Sequence, residues 1–245
     1  MAQRGFVGGL AGLALGLLAG AAQADPIAPE GEARFEVTLR GLSVGLLRVV
    51  TARSDGAYAA TARVEPAGLA RVLPSARFEA TVQGQVRSGR AQPLRYAEDV
   101  NTGRRESRTE MVWDRGVPRV LRSEPARPPE PWHIDAADQA GTVDPMTLLL
   151  SLLAEVPPAQ ACRMDLATFD GRRRGRMVLA PGPQAGEQVT CTGIFRRVAG
   201  YAPEDLAERP EFPFSVTYAP GPGGALRVVA MEADGQLGTT RLTRN

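Results

Sequence analysis

The chain has no lysine: its 29 basic residues are all arginine, set against 27 acidic residues. Without a lysine amine there is no Schiff-base chemistry, no pyridoxal attachment and no phosphate-cradling P-loop lysine. One histidine (His133) and two cysteines (Cys162, Cys191) are too few and too scattered for a zinc-type ligand set, so neither a metal site nor a cofactor is expected. The formal charge of +2 lacks the excess that a dedicated nucleic-acid binder concentrates on one face, so no nucleic-acid partner is expected. Aromatics make up 5% of the chain, whereas alanine, glycine and proline abound, as GC-rich coding produces.

Long apolar runs are missing too, except at the start. Arg4 precedes an uncharged stretch from Phe6 to Gly20, and Ala22-Gln23-Ala24 is a small-x-small cleavage site. This is the pattern of a secretory signal peptide. Residues 1–24 are expected to be removed, leaving a periplasmic protein that begins at Asp25 and has no stable membrane span. In an oxidising compartment two cysteines read as one disulfide, Cys162 with Cys191. A loop of that length would stabilise the fold by about 3–4 kcal/mol.

From Arg34 the pattern has period two: Phe35, Val37 and Leu39 alternate with Glu36, Thr38 and Arg40. Similar runs recur about every ten residues, bounded by glycine, proline or asparagine, which is the signature of an all-β fold. Pro66 to Pro74 reads as a short helical link. Ser123 to Thr142 is proline-rich and aperiodic, a long irregular connection of the kind that often carries function. One convincing helix follows, from about Pro145 to Val156, with Asp144 as N-cap and Pro145 in the first turn. It has hardly any polar face, so it should be buried. The expected architecture is a single β domain over residues 25–245: a strongly curved antiparallel sheet, open barrel or spiral, wrapped around that helix.

Few residues carry a chemical signal. Gly41 to Gly45, GLSVG, matches the nucleophile elbow of serine hydrolases, but an elbow needs a helix after Ser43, and a β-branched run follows instead. The only base on offer is His133. Glu98-Asp99 and Asp165 with Asp170 are carboxylates without a distinguishing feature. The arginine clusters 104–105, 172–174 and 196–197 are the strongest polar features; Arg172 and Arg174 are the candidate anion-binding pair. Asp170-Gly171 reads as a two-residue hairpin turn.

Taken together, GLSVG, DPMTLLLSLL, FDGRRR between the two cysteines, and AGY at Ala199 to Tyr201 resemble the bacterial family known as domain of unknown function 3108, over roughly Ala33 to Leu242. The resemblance implies an exported all-β protein with no established catalytic residues. More distantly the chain resembles envelope-integrity proteins with a spiral β-sheet and half-barrel lipoprotein carriers, and neither lends it a site residue. The expected function is therefore non-catalytic support of the cell envelope by a monomer, through contacts with an envelope protein or a ligand. The alternative is a carrier of lipid or another amphiphile in the concave sheet, and a serine hydrolase at Ser43 ranks last.

The disulfide raises a geometric difficulty. If Phe169 pairs with Arg172, Cys162 lies opposite Leu179, and Cys191 sits two strand spacings away, about 10 Å. Bridged Cα atoms lie closer than about 7 Å. Either the sheet curls sharply there, or one cysteine lies beyond the paired region, or no bridge forms; the first or second is expected.

Overall fold

A computed structural model describes residues 26–68, 77–101, 106–235 and 237–245. The leader over residues 1–24, positions 69–74 of the link predicted at Pro66 to Pro74, and Arg104-Arg105 lie outside the described residues, and Pro66 itself closes a strand instead of opening a helix. Among the described residues, thirteen strands form one antiparallel sheet. Seven come first: β1 (Gly31–Leu39), β2 (Leu42–Ser54), β3 (Ala57–Pro66), β4 (Arg77–Arg87), β5 (Arg90–Asn101), β6 (Glu106–Asp114) and β7 (Val117–Glu124). Then come helix α1 (Pro145–Leu152), β8 (Met164–Phe169), β9 (Arg174–Ala185), β10 (Gln188–Ala199), the short helix α2 (Pro203–Glu208), β11 (Glu211–Pro220), β12 (Leu226–Gly235) and β13 (Gly238–Arg244).

Except for β7 and β8, strands adjacent in sequence pair with each other, and β1 also pairs with β13, with Phe35 opposite Arg244 and Leu39 opposite Thr240. Two meanders are thus joined back to back by the first and last strands. β7 and β8 are the two edges and do not pair, so the sheet is not closed into a barrel. Four turns, at Arg40-Gly41, Asp55-Gly56, Ser88-Gly89 and Arg115-Gly116, carry positive φ at both positions. That is the type I′ geometry whose twist suits a tight hairpin.

One face of the sheet is apolar, as the period-two pattern dictates: Tyr58, Ala60 and Ala62 of β3 are buried, as are Thr109, Met111 and Trp113 of β6 and Leu226, Val228 and Ala230 of β12. Helix α1 contributes buried Met146, Leu148, Leu150 and Leu152. It touches β4, β5 and β8. It ends at Leu152, earlier than Val156, because the next residues are recruited by the sheet: the Val156 N–H donates to the Leu226 carbonyl at 3.0 Å, and the Val156 carbonyl accepts from the Leu226 N–H at 2.8 Å.

Two turns differ from their sequence reading. Asp170 and Gly171 do lie in the β8–β9 turn, but Phe169 pairs with Arg174, which makes the loop four residues long. The Asp170 carboxylate is the reason: its Oδ1 accepts from the backbone N–H of both Arg172 and Arg173, at 2.9 and 2.8 Å, and this holds the wider turn. Pro181 to Gly186 is strand up to Ala185 rather than turn. β8 reaches only to Leu179, so β9 is an edge at Pro181 and Pro183, where a missing N–H costs no ladder bond.

Cys162 and Cys191 are bridged, with Cα atoms 5.2 Å apart. The second geometric solution is the one used: Cys162 precedes β8 by two residues, with φ of +61°, outside the paired region. Cys191 stands opposite Pro181, past the end of the β8–β9 ladder. Both cysteines are buried.

Candidate functional site

Asp144 anchors α1. Its Oδ1 accepts from the Thr147 N–H at 2.8 Å, and its Oδ2 accepts from the Thr147 hydroxyl at 2.6 Å. With its proton committed there, Thr147 Oγ1 is left to accept from the Tyr58 hydroxyl, 2.9 Å away. Tyr58 reaches the helix across Gly84, its cross-strand partner; a Cβ on Gly84 would fall 2.3 Å from the ring. Burial pushes the Asp144 carboxyl up to about 6, against the opposing pull of its hydrogen bonds to Thr147. The Tyr58 hydroxyl is likewise pushed up by burial. This polar seam fixes the helix against β3.

A crevice of about 500 Å³ opens beside the C-terminal end of α1, within the range of small-ligand sites. Val156, Met164, Leu179 and Tyr218 give it apolar walls, and the β4–β5 turn at Gly89 and Arg90 forms one lip. The segment Met164 to Ala167 of edge strand β8 runs along it, and Cys162 also lines it. Arg90 and Arg163 line it as well; both are exposed, and neither guanidinium makes an ion pair or hydrogen bond with a described residue. Asp165 is engaged on its own sheet by Arg176, with contacts of 2.6 and 2.5 Å. Those hydrogen bonds hold its carboxyl below the usual range.

Apart from Cys162 and Asp165, the residues singled out by sequence lie elsewhere. The Arg172 guanidinium donates to Ser123 Oγ and to the Pro125 carbonyl, each at 2.6 Å. Arg174 donates to Gln139 Oε1 at 3.2 Å. Both therefore hold the proline-rich segment, and neither lines the crevice. Ser43 is an exposed residue of β2, placed just after a hairpin and followed by more strand, so the elbow geometry is not formed. The His133 ring sits in the proline-rich segment and accepts from the Glu130 N–H. Glu98 accepts from the Tyr96 and Thr109 hydroxyls, whereas Asp99 pairs with Arg77 and Arg108. Neighbours in sequence, these two carboxylates are turned to different partners. Among the described residues no group of acidic, histidine or cysteine side chains is placed to hold a metal ion. None of their helices is long and apolar enough to cross a membrane, which leaves membrane crossing by strands unaddressed.

FDGRRR and AGY meet in space. A Cβ on Gly200, whose φ is +82°, would lie 2.4 Å from the Arg172 carbonyl oxygen. Arg173 and Arg197 sit over the Tyr201 ring at 5.1 and 5.2 Å, and Arg197 and Arg209 over Phe212 at 4.8 and 4.7 Å. Such cation–π contacts hold arginine without needing an acid. The paired motif thus builds a junction between the β8–β9 turn and the segment after β10. The crevice itself had no sequence signal, because its lining comes from turns and strand ends far apart in the chain.

A family described as "Protein of unknown function (DUF3108)" matches residues 34–198. The chain belongs to that family. FDGRRR and both cysteines fall inside the matched span, and AGY lies just beyond its end. No curated protein and no solved structure matches the chain.

Proposed function

We propose that this is a non-catalytic periplasmic binding protein, acting as a monomer and supporting the cell envelope through contacts made in the crevice beside β8. The observation that carries this reading is the crevice: an apolar-walled cavity of about 500 Å³ bordered by a partly unpaired sheet edge. Support for a binding role also comes from the use made of the other polar residues. The histidine, carboxylates and arginine clusters that fall within the described residues serve turns, hydrogen bonds, ion pairs or stacking, and Ser43 lies on an exposed stretch of strand.

The same reading takes the sheet to be strongly curved around α1, as an open barrel or spiral. Helix α1 touches β4, β5 and β8, and β4 and β8 are nine places apart in strand order. Laid flat they would be roughly 40 Å apart, whereas eight helical residues span only about 12 Å. Gly171 also stands against Thr109 of β6, and Arg172 against Ser123 of β7, so the opposite edge comes close.

A deletion strain tests the envelope role: it should become more sensitive to detergent and cell-wall antibiotics, and unchanged sensitivity refutes the role. N-terminal sequencing of periplasmic protein should begin at Asp25. A fluorophosphonate probe should leave Ser43 unmodified. The second reading, an amphiphile carrier, is favoured by the apolar walls with two arginines at the rim. Native mass spectrometry decides it: a co-purified amphiphile supports the carrier, and a clean apo mass counts against it.

A further inference from the structure

We propose that the open half of β8 is a docking edge for an extended peptide bearing an acidic group, which Arg90 and Arg163 recognise; this rests on the crevice being a binding site. The direction of the backbone groups follows from two hydrogen bonds. The Val143 N–H donates to the Ala167 carbonyl at 3.0 Å, and the Phe169 N–H donates to the Val143 carbonyl at 2.9 Å. Odd-numbered residues of β8 therefore present their backbone groups away from β9, since these alternate along a strand. The Ala167 N–H and both backbone groups of Asp165 point the same way, and they have no partner among the described residues.

Val143 shows what this edge accepts. It lies in a parallel bridge to Thr168, a single residue of backbone added from outside the sheet. Toward Met164 nothing among the described residues continues that pairing, and the crevice takes its place. A guest strand there completes the ladder while its alternate side chains enter the pocket walled by Val156, Met164 and Leu179, which is the logic of β-augmentation. An acyl chain would use the same walls but would displace water from the Asp165 and Ala167 backbone groups without replacing their hydrogen bonds. Charge decides which peptide. The Arg90 and Arg163 guanidinium groups have no acidic partner among the described residues, and Asp165 is neutralised by Arg176. The local field is positive, so it favours an acidic residue or a free carboxylate and repels a basic one.

The test is affinity selection from a random hexapeptide pool on the full protein, with bound peptides sequenced by mass spectrometry. The expected result is enrichment of aspartate and glutamate together with β-branched residues. Arg90→Glu with Arg163→Glu should reverse the charge preference toward lysine and arginine. Ala167→Pro removes an N–H that the ladder with β9 does not use, and it should lower peptide recovery about ten-fold, the effect of one well-formed hydrogen bond. An unenriched pool, or enrichment that survives both changes, overturns the proposal. If native mass spectrometry then finds an amphiphile bound to wild type and to A167P alike, the crevice remains a binding site and only the peptide proposal falls. If neither ligand is found, both readings fall.

Discussion

Replacing Asp144 with asparagine should remove the loss of stability that this one carboxyl imposes as pH rises from about 4 to 6. The buried carboxyl titrates at about 6 against an ordinary value of 3.8. Below about pH 4 it is protonated in both the folded and unfolded chain and costs nothing. As pH rises, the unfolded chain ionises first, and the folded state loses relative stability until its own carboxylate forms. Above pH 6 the loss is complete, and two units of displacement correspond to about 3 kcal/mol. Asparagine keeps the acceptor for the Thr147 N–H, and its amide can donate to Thr147 Oγ1, which then turns its proton to Tyr58. D144N should thus match wild type near pH 4 and exceed it by about 3 kcal/mol at pH 7. Urea unfolding at four pH values, followed by fluorescence of the buried Trp113, measures the difference directly. Exposed carboxylates whose pKa values are lowered by arginine, such as Glu32, Asp99 and Asp165, act in the opposite sense but equally in both proteins. A difference that stays flat from pH 4 to 7 would refute the assignment of a destabilising buried charge to Asp144.

Other perturbations follow from the same geometry. Replacing Cys162 and Cys191 together by serine should lower stability by about 3–4 kcal/mol, read from the urea midpoint, on the chain-entropy account of a loop of this length. Gly84→Ala drives a methyl into the Tyr58 ring and should cost about 1–3 kcal/mol in thermal unfolding; adding Tyr58→Ala to it should recover little, because the seam to α1 is then gone. Gly200→Ala combines a positive φ with contact against the Arg172 backbone, so it should destabilise by about 2 kcal/mol or more. Arg172→Ala should raise hydrogen-exchange rates in the proline-rich segment near Ser123 and leave β2 and β3 unchanged.

Most strands were legible because burial on one face imposes period two, and a pair such as Asp55-Gly56 marks a turn that only certain backbones can make; edge strand β7 was not legible, because Pro118 is its only fully buried residue. The α1 start was legible from Asp144-Pro145, since caps are local. What was illegible is non-local. The extended path after Leu153 is set by Leu226, some seventy positions on. The β8–β9 turn is widened by one carboxylate that prefers two backbone donors to a tighter loop. The pairing of β1 with β13 has no motif, because any two half-buried strands of matching length satisfy the same pattern. The crevice is a gap between elements, and a gap leaves no residue type behind. Arg172 and Arg174 looked like a binding pair because charge is visible in sequence, whereas the Ser123, Pro125 and Gln139 groups that engage them are visible only once folded.

The union of β1 with β13 imposes an order on biosynthesis. β1 to β7 can zip hairpin by hairpin as the nascent chain emerges, each contact being local and fast. One flank of β1 nevertheless has no mate until translation has passed Arg244. Through that interval a naked strand border, with apolar Phe35 beside it, is available to any passing chain. The newborn protein is therefore most in need of a holdase for as long as β13 is unmade, and the residues from Gly238 to Arg244 are the ones that end the hazard.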